Sequence, residues 1–152
     1  MKTILEIKNL TKYYGNTLAV NDLSLDLFEG EIFGFIGPNG AGKSTTIRSV
    51  MNLINKTSGS VFFLGQQLDK NALDLKKQIG YLPSDINLYD DMKVADILDY
   101  HESFYSNIDT HSKRLNLVSR LALDETKKIE DLSLGNRKKL GIVLALMHSP
   151  KL

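Results

Sequence analysis

The sequence predicts an α/β fold: an antiparallel β section first, then strands alternating with helices, then an inserted helical segment. Three observations predict it. Ile4, Glu6 and Lys8, and later Leu23, Ser24, Leu25, Asp26 and Leu27, alternate with period two, as half-buried antiparallel strands do. The short apolar runs "EIFGFIG", "VFFLG" and "IGYLP" are bounded by glycine or proline and interleaved with helical stretches, which reads as buried strands. Over residues 94–121 the period turns helical, with Val94, Ile97 and Leu98, then Leu117, Val118 and Leu121, forming stripes.

Composition bounds what such a fold could do. A chain of 152 residues is long enough to bury a real core, and 42% hydrophobic with 24% charged residues is ordinary for a soluble globular domain. A formal net charge of +1 supplies no global field for nucleic acid, so phosphate binding would have to be local. The absence of cysteine excludes a disulfide framework and thiolate metal sites. The start "MKTILEIKNLTKYYG" carries polar and charged residues every few positions and is no secretory signal. The longest apolar run, residues 140–147, falls far short of the ~20 residues a membrane span needs. The chain is expected to be soluble.

In order, Glu29 and Gly30 make a turn, "EIFGFIG" a buried strand, and residues 43–53 a helix. "TSGS" reads as a turn, "VFFLG" as a second buried strand, "NALDLKKQ" as a short helix, and "IGYLP" as a third strand stopped by Pro83. The last helix starts near Ser133 and ends before Pro150. There is no internal repeat and no low-complexity linker.

Between the first buried strand and its helix lies "GPNGAGKST", residues 37–45, which matches G-x-x-x-x-G-K-[ST] in the strand–loop–helix context that motif requires. Gly40 and Gly42 permit positive φ, so the backbone can curl its N–H groups inward onto phosphate oxygens. The helix beginning at Lys43 adds its positive N-terminal end. The Lys43 ammonium would bridge β- and γ-phosphates, and the Ser44 hydroxyl would ligate Mg²⁺. A chance match somewhere in such a chain has a probability of roughly half a percent. The loop is expected to bind a nucleoside triphosphate.

A second stretch, "DLSLGNRKKLGIVLAL", places Ser133 immediately before a helix. Taken alone, Ser133 is a helix N-cap. The same hydroxyl, the neighbouring N–H groups and the helix end would also make an anion site, so the two roles coexist.

Together these motifs resemble the ATP-binding cassette (ABC) ATPases that power membrane transporters, in the family's order and over essentially the whole chain. The resemblance is carried by "LEIKNLTKYYG", "LAVNDLSLDLFEGEIFGFIGPNGAGKSTT", "SGSVFFLG", "IGYLP" and, in place of the signature LSGGQ, "LSLGN". It implies a P-loop NTPase core (residues 1–82), a Q-loop-like region with a helical subdomain (83–135), and a signature helix (136–152). Tyr14 would stack on adenine with Val20 packed nearby; Tyr13 is the rival if the register is off by one. Gly37, Pro38, Asn39, Gly40, Ala41, Gly42, Lys43, Ser44 and Thr45 would hold ATP and, through Ser44, Mg²⁺. Ser133, Leu134, Gly135 and Asn136 would face the γ-phosphate held by a second cassette, packed head to tail.

The chain departs from the family pattern at three places. Leu134 stands where the family has glycine, and Asn136, one methylene shorter, where it has glutamine. After "YLP" the family places a Gln or Glu that touches Mg²⁺; here it is Ser84, with Asp85 beside it as a substitute. The resemblance also puts the Walker B Asp, the catalytic Glu and the switch His beyond Leu152. The 152 residues are therefore expected to be an N-terminal part that binds ATP weakly and does not hydrolyse it, the longer parent being the ATPase. The missing strand is expected to adjoin the phosphate-loop strand and to leave an apolar sheet edge exposed.

The implied function is the ATP-binding subunit of a membrane transporter. "YLPSDINLYDDMKVADIL" is similar to bacterial exporter cassettes acting on drugs, antibiotics or lipids. Implied partners are a polytopic membrane permease subunit or domain and a second ABC ATPase subunit, identical or not, with no nucleic acid. The implied place is the inner face of the cell membrane. The alternative is a soluble ABC-type ATPase of translation or DNA repair. A GTPase or nucleotide kinase would leave "LSLGN" and Tyr14 unexplained.

Other residues invite plainer readings. His101, His111 and His148 lie at unrelated spacings and are expected to be surface or helix residues. Asp90 and Asp91 read as capping charges before a helix, and Lys138 and Lys139 after Arg137 as a solvated face. Tyr100, Phe104 and Tyr105 are expected to pack into a helical core, one edge of which would dock a transporter.

Overall fold

A computed structural model describes residues 2–105 and 108–152, which fall into two compact units, Met1–Lys76 and Lys77–Leu152.

The first unit is built on a long hairpin of β1 (Thr3–Tyr14) and β2 (Thr17–Phe28). Gly15 takes φ +56° at its tip. β3 (Ser58–Phe63) joins the other edge of β1 and β4 (Gln66–Gln67) follows it, so the sheet order is β2-β1-β3-β4, antiparallel at every pairing. The ladder slips near residues 7–12, where Asn9 and Asp22 both adopt positive φ. Side chains repair the slip: Asn9 Nδ2 donates to Asp22 Oδ1 at 2.9 Å, Asn9 N to Ser24 Oγ at 2.9 Å, and Asp22 N to Thr11 Oγ1 at 3.0 Å.

"TSGS", expected to be a turn, instead begins β3. Gly59, at φ +89°, crosses β1 so closely that a Cβ would lie 2.5 Å from the Asn9 carbonyl oxygen. Turn chemistry was read where the glycine serves a close backbone approach. Ile4, Leu5, Ile7, Leu10, Val61, Phe63 and Leu68 form the core of this unit, and α1 (Lys43–Val50) packs on β1 and β2 with Val50 buried. α2 (Leu73–Lys76) is the short helix expected there.

"EIFGFIG" is not a buried strand. Residues 31–38 have no regular structure, Ile32 is 100% and Ile36 91% exposed, and Phe33 is exposed as well. An apolar run shows a capacity for burial, but a strand exists only through a ladder, and the four-stranded sheet does not include this segment.

In the second unit α3 (Val94–Glu102), α4 (Thr110–Leu121) and α5 (Leu134–Leu146) enclose Val94, Leu98, Leu117, Ile129, Leu140, Val143 and Met147. Arg114 of α4 is buried and donates to Asp99 of α3 and Glu125 after α4. "IGYLP" has no strand assignment either, although it is paired: Lys151 N donates to Gln78 O at 2.8 Å and Gly80 N to Leu152 O at 2.7 Å. The last residues thus adjoin residues 78–80.

Three smaller expectations also change. Asp90 does not cap a helix but pairs with Arg137 at 2.9 Å, while Asp96 accepts from the Lys93 N–H before α3. Tyr100 and Phe104 are exposed, meeting edge to face at 5.0 Å. His148 is buried in the turn after α5, whereas His111 is exposed on α4 as expected, 3.7 Å from Glu102. Among the described residues no helix is long and apolar enough to cross a membrane.

Candidate functional site

The glycine-rich loop has the conformation its composition allows. Gly40 and Gly42 sit at φ +84° and +81°, and the Ala41 N–H donates to the Pro38 carbonyl at 3.2 Å. Gly42 is the residue before α1, with no side-chain cap, so the first-turn N–H groups of that helix face a point where no side chain competes for them. A Cβ on Gly42 would lie 2.2 Å from the Ala19 carbonyl oxygen, which ties this glycine to the adjacent β2 backbone. Thr46, buried, donates its hydroxyl to the Gly42 carbonyl at 3.0 Å and pins the loop's end to the helix.

Lys43 reaches back over the loop. Its Nζ donates to the carbonyls of Gly37 at 2.6 Å and Pro38 at 2.7 Å. The ammonium therefore lies inside the loop's curl, held by acceptors that a phosphate oxygen can replace with a stronger, charge-assisted bond. Beside it runs a groove of about 410 Å³ lined by Leu18, Ala19, Val20, Phe35, Gly40, Ala41 and Lys43, among others.

Of the residues singled out from sequence, Val20, Gly40, Ala41 and Lys43 share this groove. Ser44 is exposed at the helix start and Thr45 half-buried. Tyr14 lies at the hairpin end and is not part of the groove lining; its ring, 48% exposed, sits 4.8 Å from the Lys12 ammonium. Lys12 went unnoticed in the sequence, though its place two residues before Tyr14 on a strand was the available signal. Thr46 was likewise missed; its signal was a hydroxyl one turn into a helix opened by glycine.

In the second unit Ser133 caps α5: its backbone is extended (φ −60°, ψ 159°) and its Oγ accepts from the Asn136 N–H at 3.3 Å. Ser133, Leu134 and Gly135 are exposed and Asn136 half-buried. The helix end is therefore open to a ligand, with the Leu134 side chain standing 72% exposed beside it. Ser84 and Asp85 are exposed in an irregular stretch. Among the described residues no group of three His, Cys, Asp or Glu side chains is arranged to hold a metal ion.

The family described as ABC transporter matches residues 20–152. The chain belongs to the ABC transporter family. This ABC chain is 35% identical over 162 residues to an uncharacterized ABC transporter ATP-binding protein, YhcH, of Bacillus subtilis (strain 168), covering 99% of the chain and 50% of that protein. It is 33% identical over 156 residues to the Nod factor export ATP-binding protein I of Cupriavidus pinatubonensis (strain JMP 134 / LMG 1197), covering 100% of the chain and 48% of that protein. Its fold matches a solved structure described as the ATP-binding subunit of an ABC transporter, with a TM-score of 0.87 and 27% identity over 97% of the chain and 63% of that structure. The ABC chain thus spans about half the length of the curated relatives it matches. The P-loop, α/β fold class read from the sequence stands, with its β section antiparallel.

Proposed function

We propose that this chain binds ATP at residues 37–45 and that the whole protein is the ATP-binding subunit of a bacterial exporter. The observation that carries the reading is the Lys43 ammonium held inside its own loop by the Gly37 and Pro38 carbonyls, at the head of a helix whose preceding residue has to be glycine. Gly37, Pro38, Asn39, Gly40, Ala41 and Gly42 would wrap the polyphosphate with their N–H groups, Lys43 would neutralise it, and Ser44 and Thr45 would meet it at the helix start. Mg²⁺ would be held by the Ser44 hydroxyl, supplying charge neutralisation of the phosphates. Tyr14 and Val20 would take the adenine.

Ser133, Leu134, Gly135 and Asn136 would cap the γ-phosphate of a nucleotide held by a second ABC subunit, an arrangement supported by the openness of the α5 N-terminus. ATP would then join two subunits, and joining would move a polytopic membrane permease, with this chain peripheral on the inner membrane face. The export reading is supported by the Nod factor export relative. For the 152 residues alone we expect binding without turnover.

The test is calorimetric titration of the 152-residue chain with Mg·ATP, alongside Lys43→Ala and a phosphate-release assay. Saturable binding that Lys43→Ala weakens at least about tenfold supports the site. Equal binding by both proteins would sink it, and phosphate release abolished by Lys43→Ala would overturn the expected inactivity.

A further inference from the structure

Three rings meet in the second unit, apart from every residue assigned to nucleotide. Tyr105 stacks on His148 with ring centroids 4.6 Å apart and planes 15° from parallel. His101, in the last turn of α3, lies 5.2 Å from Tyr105 and 5.9 Å from His148. His148 is only 3% exposed. Its Nε2 lies 3.2 Å from the Ile79 carbonyl oxygen, and because a carbonyl only accepts, the proton belongs on Nε2. That leaves Nδ1 bare, buried and without a hydrogen-bond partner; His101 Nε2 is buried and unpartnered in the same way.

The position of this cluster matters. The His148–Ile79 bond stands beside the two backbone bonds that join residues 78–80 to Lys151 and Leu152. His148 is thus a side-chain link between residues 148–152 and the segment leading to Ser84 and Asp85, while His101 and Tyr105 tie that link to α3.

We propose that His101, Tyr105 and His148 form an acid-released clasp, which closes residues 148–152 onto residues 78–80 and α3 while both imidazoles are neutral and opens when they take up protons. Among the described residues, the charged groups around it are turned to other partners. From α3, Glu102 is turned to Arg114 at 3.6 Å and to His111 at 3.7 Å, both on α4. Asp99 is also held by Arg114. Tyr105 is itself pushed further toward its neutral form by burial. α5 contributes the Leu144 carbonyl, and residues 78–80 the Ile79 carbonyl. Lys77 and Lys151, on the joined segments, are exposed. Two imidazolium rings 5.9 Å apart would repel each other in partly dry surroundings.

The direction of the titration agrees with this geometry. Burial first, and then the charge of His148, hold His101 below the usual imidazole range, against an opposing pull from the Leu144 carbonyl. Burial holds His148 down as well, against the Ile79 and Leu144 carbonyls. The unfolded chain therefore takes up protons near pH 6.5 that the folded unit refuses, so the contribution is complete above about 6.5 and is lost as pH falls toward the folded values.

The experiment uses the full 152-residue chain with ¹³C-labelled histidine, titrated by NMR from pH 8 to 5, with amide exchange protection measured in parallel. We expect the His101 and His148 imidazoles to titrate below 6.5, and the protection factors of the Lys151 and Gly80 amides to fall at least about tenfold over the same interval. In His101→Gln, which removes the second charge, the protection survives to lower pH. Either imidazole titrating at 6.5 or above, or protection at Lys151 and Gly80 that ignores the titration, would overturn the clasp. The wild-type titration decides the matter even if the variant does not fold.

Discussion

At the scale of single residues, the molecule is governed by a few positions where only one side chain fits. Gly42 is the sharpest: a Cβ would collide with the Ala19 carbonyl at 2.2 Å, and its φ of +81° is a region other residues enter at a cost. Gly42→Ala is expected to lower stability by at least ~1 kcal/mol and to weaken nucleotide binding together with it, read by urea unfolding and calorimetry on the same sample. Arg114 acts by charge. Burial alone would weaken the guanidinium's hold on its proton, but hydrogen bonds to Asp99 and Glu125 more than offset this and hold it above its ordinary range. Arg114→Met should destabilise by about 1–3 kcal/mol, below the range for fully buried pairs because Asp99 is mostly exposed. That loss should shrink in high salt, and an unchanged urea midpoint would show that the network contributes nothing.

At the scale of elements, α5 shows how one feature serves two ends. Its Ser133 cap satisfies an N–H of its own first turn, and the same open terminus is the proposed anion site. Ser133→Ala should cost about 1 kcal/mol of stability by thermal unfolding. Deeper in the helix, Leu140→Ala should cost about 2–5 kcal/mol, since Leu140 is fully enclosed by the helical core. Gly141 has its own reason: a Cβ there would lie 2.5 Å from Ile86 Cδ1 and 2.7 Å from Leu82 Cδ1, so these two side chains rest directly on the helix backbone. The serine before and proline after located α5, and periodicity located the helical stretch 94–121 that holds α3 and α4. It failed for residues 31–38 and 79–83, whose apolar runs match a strand in composition while the ladder partners that make a strand are not among the sheet's four members.

At the scale of the whole molecule, the exposed run holding Ile32, Phe33 and Ile36 is the feature most at odds with an isolated globular chain. Substituting Ile32→Ser together with Ile36→Lys should reduce self-association in light scattering while leaving the unfolding midpoint within about 0.5 kcal/mol, because neither side chain is buried. A large loss of stability would mean that these side chains are packed in solution. The candidate site was legible to different depths along the chain. The phosphate loop could be read because glycine, lysine and hydroxyl at fixed spacing encode a local backbone shape. Tyr14 was legible as an aromatic at a turn, and Lys12 could have been read with it, since residues two apart on one strand share a face. His148, expected to be a surface or helix residue, is buried in a turn because Tyr105 and His101, more than forty positions away along the chain, come to lie against it.

The sequence by itself determined the phosphate loop, the Ser133 cap, the amphipathic helices and the family, because each is written in neighbours a few residues apart. Only the tertiary structure decided which apolar runs find a sheet, which glycines are fixed by an opposing backbone, and which histidines lose their water. Those outcomes depend on contacts between residues distant along the chain, and local spacing carries no record of them.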